Sequence, residues 1–225
     1  MVLRGNNLTI PVTPERVISS FDFIDIAKNR AVETFFLTET TTSGTPIYGI
    51  TNNATYESEA ASTRKQTTSD VYTKQHDNTH EVLVDAPISI EGDVFLSIPL
   101  QVSVGSGSDG FGFISGALLV SGSTLTTLGD VSGAVVKPSA SSTEETLSAM
   151  SMRIPRTQIK RGEYLQYRIT TWSKNDDNAA TVSTYYGFNP NGTSPHGTPN
   201  EATFGSTRSY VDATGKLLIP INIPL

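Results

Sequence analysis

The chain has 225 residues and a formal net charge of −6, with a pI near 5.0, so its average surface offers no basic face to nucleic acid or to an anionic membrane. It holds no cysteine, which removes disulfides, thiolate metal sites and a cysteine nucleophile. Only 17% of residues are charged, and Thr, Ser, Gly and Asn abound, a palette suited to exposed strands and tight turns. A chain of this length suits one large all-β domain, and no run approaches the ~18 apolar residues of a membrane span.

Residues 1–20 are expected to form an N-terminal arm, or a short helix starting at Thr13-Pro14-Glu15-Arg16, where an N-cap precedes a proline and an acid. Phe21–Ala27 alternates as a strand would, and Ala31–Thr41 is rich in β-formers and ends at a Ser43-Gly44 turn. The β-domain is thus placed over residues 21–225. Within it, Asn52–Glu81 contains one aliphatic larger than alanine, Val71, and reads as a long polar insertion with a short helix over Glu57–Gln66.

Val82–Val104 carries the strongest pattern. Val82, Val84, Ala86, Ile88 and Ile90 form one apolar row, and Val94, Leu96, Ile98, Leu100, Val102 and Val104 form another. Glu91-Gly92-Asp93 between them predicts a hairpin turn, and the outward Pro87 and Pro99 predict edge positions or bulges. Phe111–Ser121 has two apolar faces, as a central strand does. Val131–Val136 is predicted as a strand, Ser142–Glu145 as one helical turn, and Thr146–Ile154 as a strand. Glu163–Ser173 puts Leu165, Tyr167 and Ile169 on one face and Tyr164 and Trp172 on the other. Thr181–Phe188 follows as a strand, then an exposed Gly/Pro/Asn loop. Lys216–Leu225 closes the chain with Leu217, Ile219 and Ile221 in one row and Pro220 in the other. These elements predict an antiparallel β-sandwich of jelly-roll type.

No motif announces a chemistry. Gly105-x-Gly107-x-x-Gly110 copies a dinucleotide-binding pattern, but Phe111-Gly-Phe-Ile continues as a strand where a helix is required. His76 and His80 would share a helix face, yet their polar surroundings point to a solvated loop, so neither a metal nor a cofactor is expected. With no Gly-x-Ser-x-Gly and no zincin motif, the expectation is that the chain is not an enzyme, although two carboxylates meeting in a cleft would make a glycan-degrading one. Trp172 and Tyr164, with Tyr185 and Tyr186, are candidates for an aromatic binding platform. Core packing of the single Trp is the favoured alternative.

Four stretches together resemble small virion proteins of tailed bacteriophages: Ser20–Ala27, the pair Arg153–Thr157 and Lys160–Leu165, Tyr186–Pro190, and Lys216–Ile223. The resemblance implies a jelly-roll component of the virion, a capsid decoration or cement protein or a neck or tail part. It implies action as a homo-oligomer through contacts with the major capsid or other virion proteins, and the acidic charge adds the expectation of no nucleic acid or membrane partner. The other expectation is a carbohydrate- or receptor-binding module on the same sandwich.

Overall fold

The computed structural model describes residues 30–42, 45–52, 65–105, 109–176, 181–187 and 215–222. These form eleven strands and no helix: β1 (Arg30–Thr42), β2 (Thr45–Thr51), β3 (Lys65–Thr67), β4 (Thr73–Leu83), β5 (Ile88–Val104), β6 (Gly110–Ser121), β7 (Leu125–Ser132), β8 (Thr143–Ile159), β9 (Tyr164–Asn175), β10 (Val182–Tyr186) and β11 (Lys216–Asn222). The expected arm, the Phe21–Ala27 strand and the Gly/Pro/Asn loop lie outside the described residues.

Hydrogen bonds join the strands in the order β3-β10-β5-β11-β1-β2-β4-β9-β6-β7, with β8 on the second edge of β5. A single parallel bridge, Gly49 to Glu81, ties β2 to β4, and there the sheet doubles over into two leaves. The leaves meet closely: a Cβ built on Gly112 of β6 would come within 2.7 Å of Val102 on β5. Set aside β2, β3 and β10, and number the other eight strands in chain order. The first leaf then runs 1-8-3-6 (β1-β11-β5-β8) and the second 2-7-4-5 (β4-β9-β6-β7). That interleaving is the strand order of a jelly roll, a β-sandwich of two Greek keys.

β5 is the spine of the first leaf. Ile88, Ile90, Val94, Leu96, Ile98, Leu100, Val102 and Val104 are all buried, each contributing roughly 1.5–3 kcal/mol over leaving it exposed. They pack on Ile114, Leu118 and Val120 of β6 and on Leu165, Tyr167 and Ile169 of β9. The anticipated hairpin is absent, because β5 passes through Glu91-Gly92-Asp93 without reversing. The ladder to β8 shifts register between Ile90 and Gly92, and that to β11 shifts between Leu218 and Ile221. The segment is therefore a bulge, and Gly92 takes a φ of 125° that L side chains rarely adopt.

Three prolines mark joints in the sheet, and Pro155 is also on an edge strand, since β8 pairs only with β5 among the described strands. Pro155 and Pro220 sit in the two register shifts of the ladders to β5, and Pro220 also stands opposite Val32 in the unbroken ladder to β1. Pro99 falls where β5 changes partner, β11 ending opposite Ser97 and β10 beginning opposite Leu100.

Three further expectations change. The strand after β6 is Leu125–Ser132 rather than Val131–Val136, since the Thr-rich run supplies β-branched side chains that pair with β6. Ser142–Glu145 opens β8 in place of a helical turn, because Thr143–Glu145 finds ladder partners in Gln101–Ser103. Much of the supposed polar insertion is structured: β4 lies in the second leaf, paired with β9 along its length. Lys65 and Gln66, assigned to a short helix, belong to β3; the rest of that helix lies outside the described residues.

Tyr167 is fully buried, and its hydroxyl has no hydrogen-bond partner among the described residues. Burial pushes its ionisation well above the usual tyrosine range. Tyr167→Phe is therefore expected to hold or raise stability, by up to about 1 kcal/mol, in equilibrium denaturant unfolding. A loss of more than about 1 kcal/mol would show that the hydroxyl is satisfied.

Candidate functional site

Alternation along β9 puts Trp172 and Tyr164 on the outer face of the second leaf, but at opposite ends. Eight residues of strand separate them by roughly 27 Å, so they do not form one platform. Tyr185 lies on β10 of the other leaf, and Tyr186 is in the core. Tyr164 neighbours Leu83 across the ladder, and both are exposed.

At its own end Trp172 joins aromatics of β6 and of the chain entering β4. It sits opposite Phe113 in the ladder, the two ring planes 10° apart and their centroids 6.2 Å apart. Its indole Nε1 donates to Ser115 Oγ at 3.1 Å, and Tyr72 meets Phe113 edge-on at 5.2 Å. Lys174 and Lys137 lie over Phe111 at 4.6 and 4.9 Å. Each lysine also meets a carboxylate, Asp176 at 2.7 Å and Asp109 at 3.0 Å. The Phe111-Gly-Phe113 spacing was the available signal, since it puts both rings on one face.

A second surface covers the outer side of the first leaf. Phe95 is 52% exposed, Leu147 50% and Leu218 38%. Leu218 sits between Phe95 of β5 and Thr34 of β1, while Leu147 of β8 sits opposite Pro99. A depression of about 250 Å³ beside Phe95 is lined by Thr34, Ser97, Ala149, Lys216 and Leu218. On β1, Phe36 extends this face half-buried.

His76 and His80, expected in a solvated loop, are 2% and 0% exposed. On a strand their spacing also gives one shared face, and here that face is inward. Neighbouring polar groups accommodate them: His76 Nδ1 lies 2.6 Å from Thr171 Oγ1, which lies 3.2 Å from Thr184 Oγ1. His80 Nδ1 lies 3.2 Å from the carbonyl oxygens of both Thr38 and Gly49. Carbonyls only accept, so Nδ1 carries the proton, and Nε2 accepts from the Tyr186 hydroxyl at 3.2 Å. Asn78 Nδ2 donates to that hydroxyl at 2.6 Å. Burial lowers the His80 pKa to about 4, against the raising effect of the Gly49 and Thr38 carbonyls, so the ring is neutral. Among the described residues no three His, Cys, Asp or Glu side chains converge as a metal site. Glu33, also on an inward row, accepts from Asn52 Nδ2 at 3.1 Å, and burial raises its pKa.

No protein-family model and no curated protein matches the chain. Among solved structures it is similar to a CocE/NonD family hydrolase from Staphylococcus aureus, at a TM-score of 0.47 and 12% identity over 86% of this chain and 37% of that one. It is also similar to the VP2 subviral particle of infectious bursal disease virus, at a TM-score of 0.30 and 10% identity over 88% and 43%. The Gx strain of that virus gives 0.27 and 9% over 87% and 41%. The chain thus spans less than half the length of each.

These are loose likenesses of shape, to a viral capsid protein in one case and a hydrolase in the other, and they transfer no residue. The expectation that the chain is not an enzyme is corrected by the hydrolase match, since one fold hosts many chemistries and the lack of a familiar motif excludes none.

Proposed function

We propose that this chain is a viral structural protein that decorates or cements a capsid by associating with further copies of itself. The observation that carries this reading is the outer face of the first leaf, where Phe95 and Leu218 stand exposed beside one depression and Leu147 is exposed on the neighbouring β8. A contiguous apolar surface of this kind marks an association site. Contact between identical subunits about a two-fold axis would bring this face against its own copy. In that contact the Phe95 ring of one copy would enter the depression beside Phe95 of the next, with Lys216 at its border. The jelly-roll order, which capsid domains use, and the sequence resemblance to virion proteins of tailed bacteriophages agree with this role.

Light scattering across a concentration series tests it. The wild-type chain is expected to run as an oligomer that dissociates on dilution, and Phe95→Asp with Leu218→Asp is expected to give a monomer with unchanged unfolding. A wild-type chain that stays monomeric at high concentration rejects the reading. So does an oligomer indifferent to both substitutions.

A further inference from the structure

We propose that the Trp172 end of the second leaf is a saccharide-binding site that stacks a neutral pyranose on Trp172 and Phe113 and holds its hydroxyl groups through Asp77 and Lys74. The site lies on the leaf opposite Phe95 and does not depend on self-association.

The rings are already set. Trp172 and Phe113 lie 10° from parallel across the β6–β9 ladder, and the bond from Nε1 to Ser115 Oγ fixes the indole. Tyr72 closes one side, edge-on to Phe113. A site whose side chains are held before binding loses little conformational freedom when a ligand arrives.

Polar groups stand next to the rings. Lys74 is the cross-strand neighbour of Trp172, and its Nζ pairs with Asp77 Oδ2 at 2.6 Å while both side chains remain 49% and 42% exposed. The other oxygen of Asp77 lies 3.4 Å from Thr170 Oγ1, one step along β9. An aromatic pair bordered by a carboxylate, an ammonium and two hydroxyls matches the chemistry of a pyranose. One face of the sugar is a layer of C–H bonds suited to a π surface, and its rim both donates and accepts hydrogen bonds.

The charges favour a neutral sugar over an anion. Among the described residues Lys137 and Lys174 each contact an aspartate and lie over Phe111, while Lys74 is paired with Asp77, and Arg168 stands further along the outer row of β9. A nucleic acid or sulphated chain needs cations in excess, and here each of the three lysines has its own carboxylate. A single such site binds weakly, and an oligomer displaying several copies would gain avidity on a polymeric glycan.

The full chain should be applied to a panel of neutral and anionic oligosaccharides, with the best ligand followed by titration calorimetry. Binding to a neutral glycan is expected, weakened at least about tenfold by Trp172→Ala and also reduced by Asp77→Asn. Tyr164→Ala, roughly 27 Å away along β9, and Phe95→Asp on the other leaf should leave it unchanged. Thermal unfolding checks each variant, and Asp77→Asn, at an exposed position, carries the test if Trp172→Ala fails to fold. The proposal is overturned if no neutral glycan is retained, if only anionic chains bind, or if the folded variants bind as wild type does.

Discussion

As the pH falls from about 6.5 to about 4, the folded chain is expected to lose roughly 3 kcal/mol of stability through His80 alone. The folded-state pKa lies below that of the unfolded chain, so above about 6.5 the ring is neutral in both states and its contribution is fully present. Between the two values only the unfolded chain takes up the proton, which pulls the equilibrium toward unfolding. Below about 4 both states are protonated and the loss is complete. Protonation inside would put a donor on Nε2 and take away the acceptor to which the Tyr186 hydroxyl donates, while Asn78 still donates to that hydroxyl. Glu33 acts with the opposite sign: its raised pKa favours the folded state in acid, in wild type and variants alike. Urea unfolding at several pH values, for wild type and His80→Gln, isolates the histidine. A wild-type slope between about pH 6.5 and 4 no steeper than that of the variant would falsify the assignment.

Gly116→Ala is expected to cost about 3 kcal/mol or more, the upper end for overpacking a core. A Cβ at this position would overlap the Tyr167 hydroxyl, and the ring carbons behind it are also too close. Tyr167 cannot swing aside, because it is fully buried in the cluster that joins the leaves. Adding Tyr167→Leu should recover part of the loss, since it removes the atoms that collide. Chemical denaturation of the single and double variants measures this; a Gly116→Ala chain within about 0.5 kcal/mol of wild type would show that the Tyr167 ring can shift within the β6–β9 pair.

Much of the fold was legible because its rows are long and strictly alternating. Leu165, Tyr167 and Ile169 are buried as their parity predicts, and β5 has no large apolar side chain out of place apart from Phe95. The failures share a physical cause. β4 looked like a loop because its inward row, His76, Asn78 and His80, is polar. Burial there depends on Thr171, Thr184 and Tyr186, about a hundred residues downstream, and nothing local reveals such partners. The Gly92 bulge looked like a turn because glycine between acids serves both, and only the continuing ladder to β8 decides between them. The aromatic end was half legible. Trp172 drew attention as the single Trp, but its ladder partner Phe113 is set by register, which the sequence does not carry on its face.

The position of β11 bears on how the chain is made. β11 lies between β1 and β5, bonded to both, yet it is encoded about 175 residues after β1 ends and about 110 after β5 ends. During synthesis those two strands emerge early, with apolar rows ready and the strand that joins them missing. Until Leu217, Ile219 and Ile221 have left the ribosome, the first leaf stays split, and the second has only an incomplete partner to cover it. The sandwich is therefore completed only once β11 has emerged, in a slow step governed by distant contacts. Until then a chaperone, or a neighbouring nascent chain, meets two unfilled strand edges.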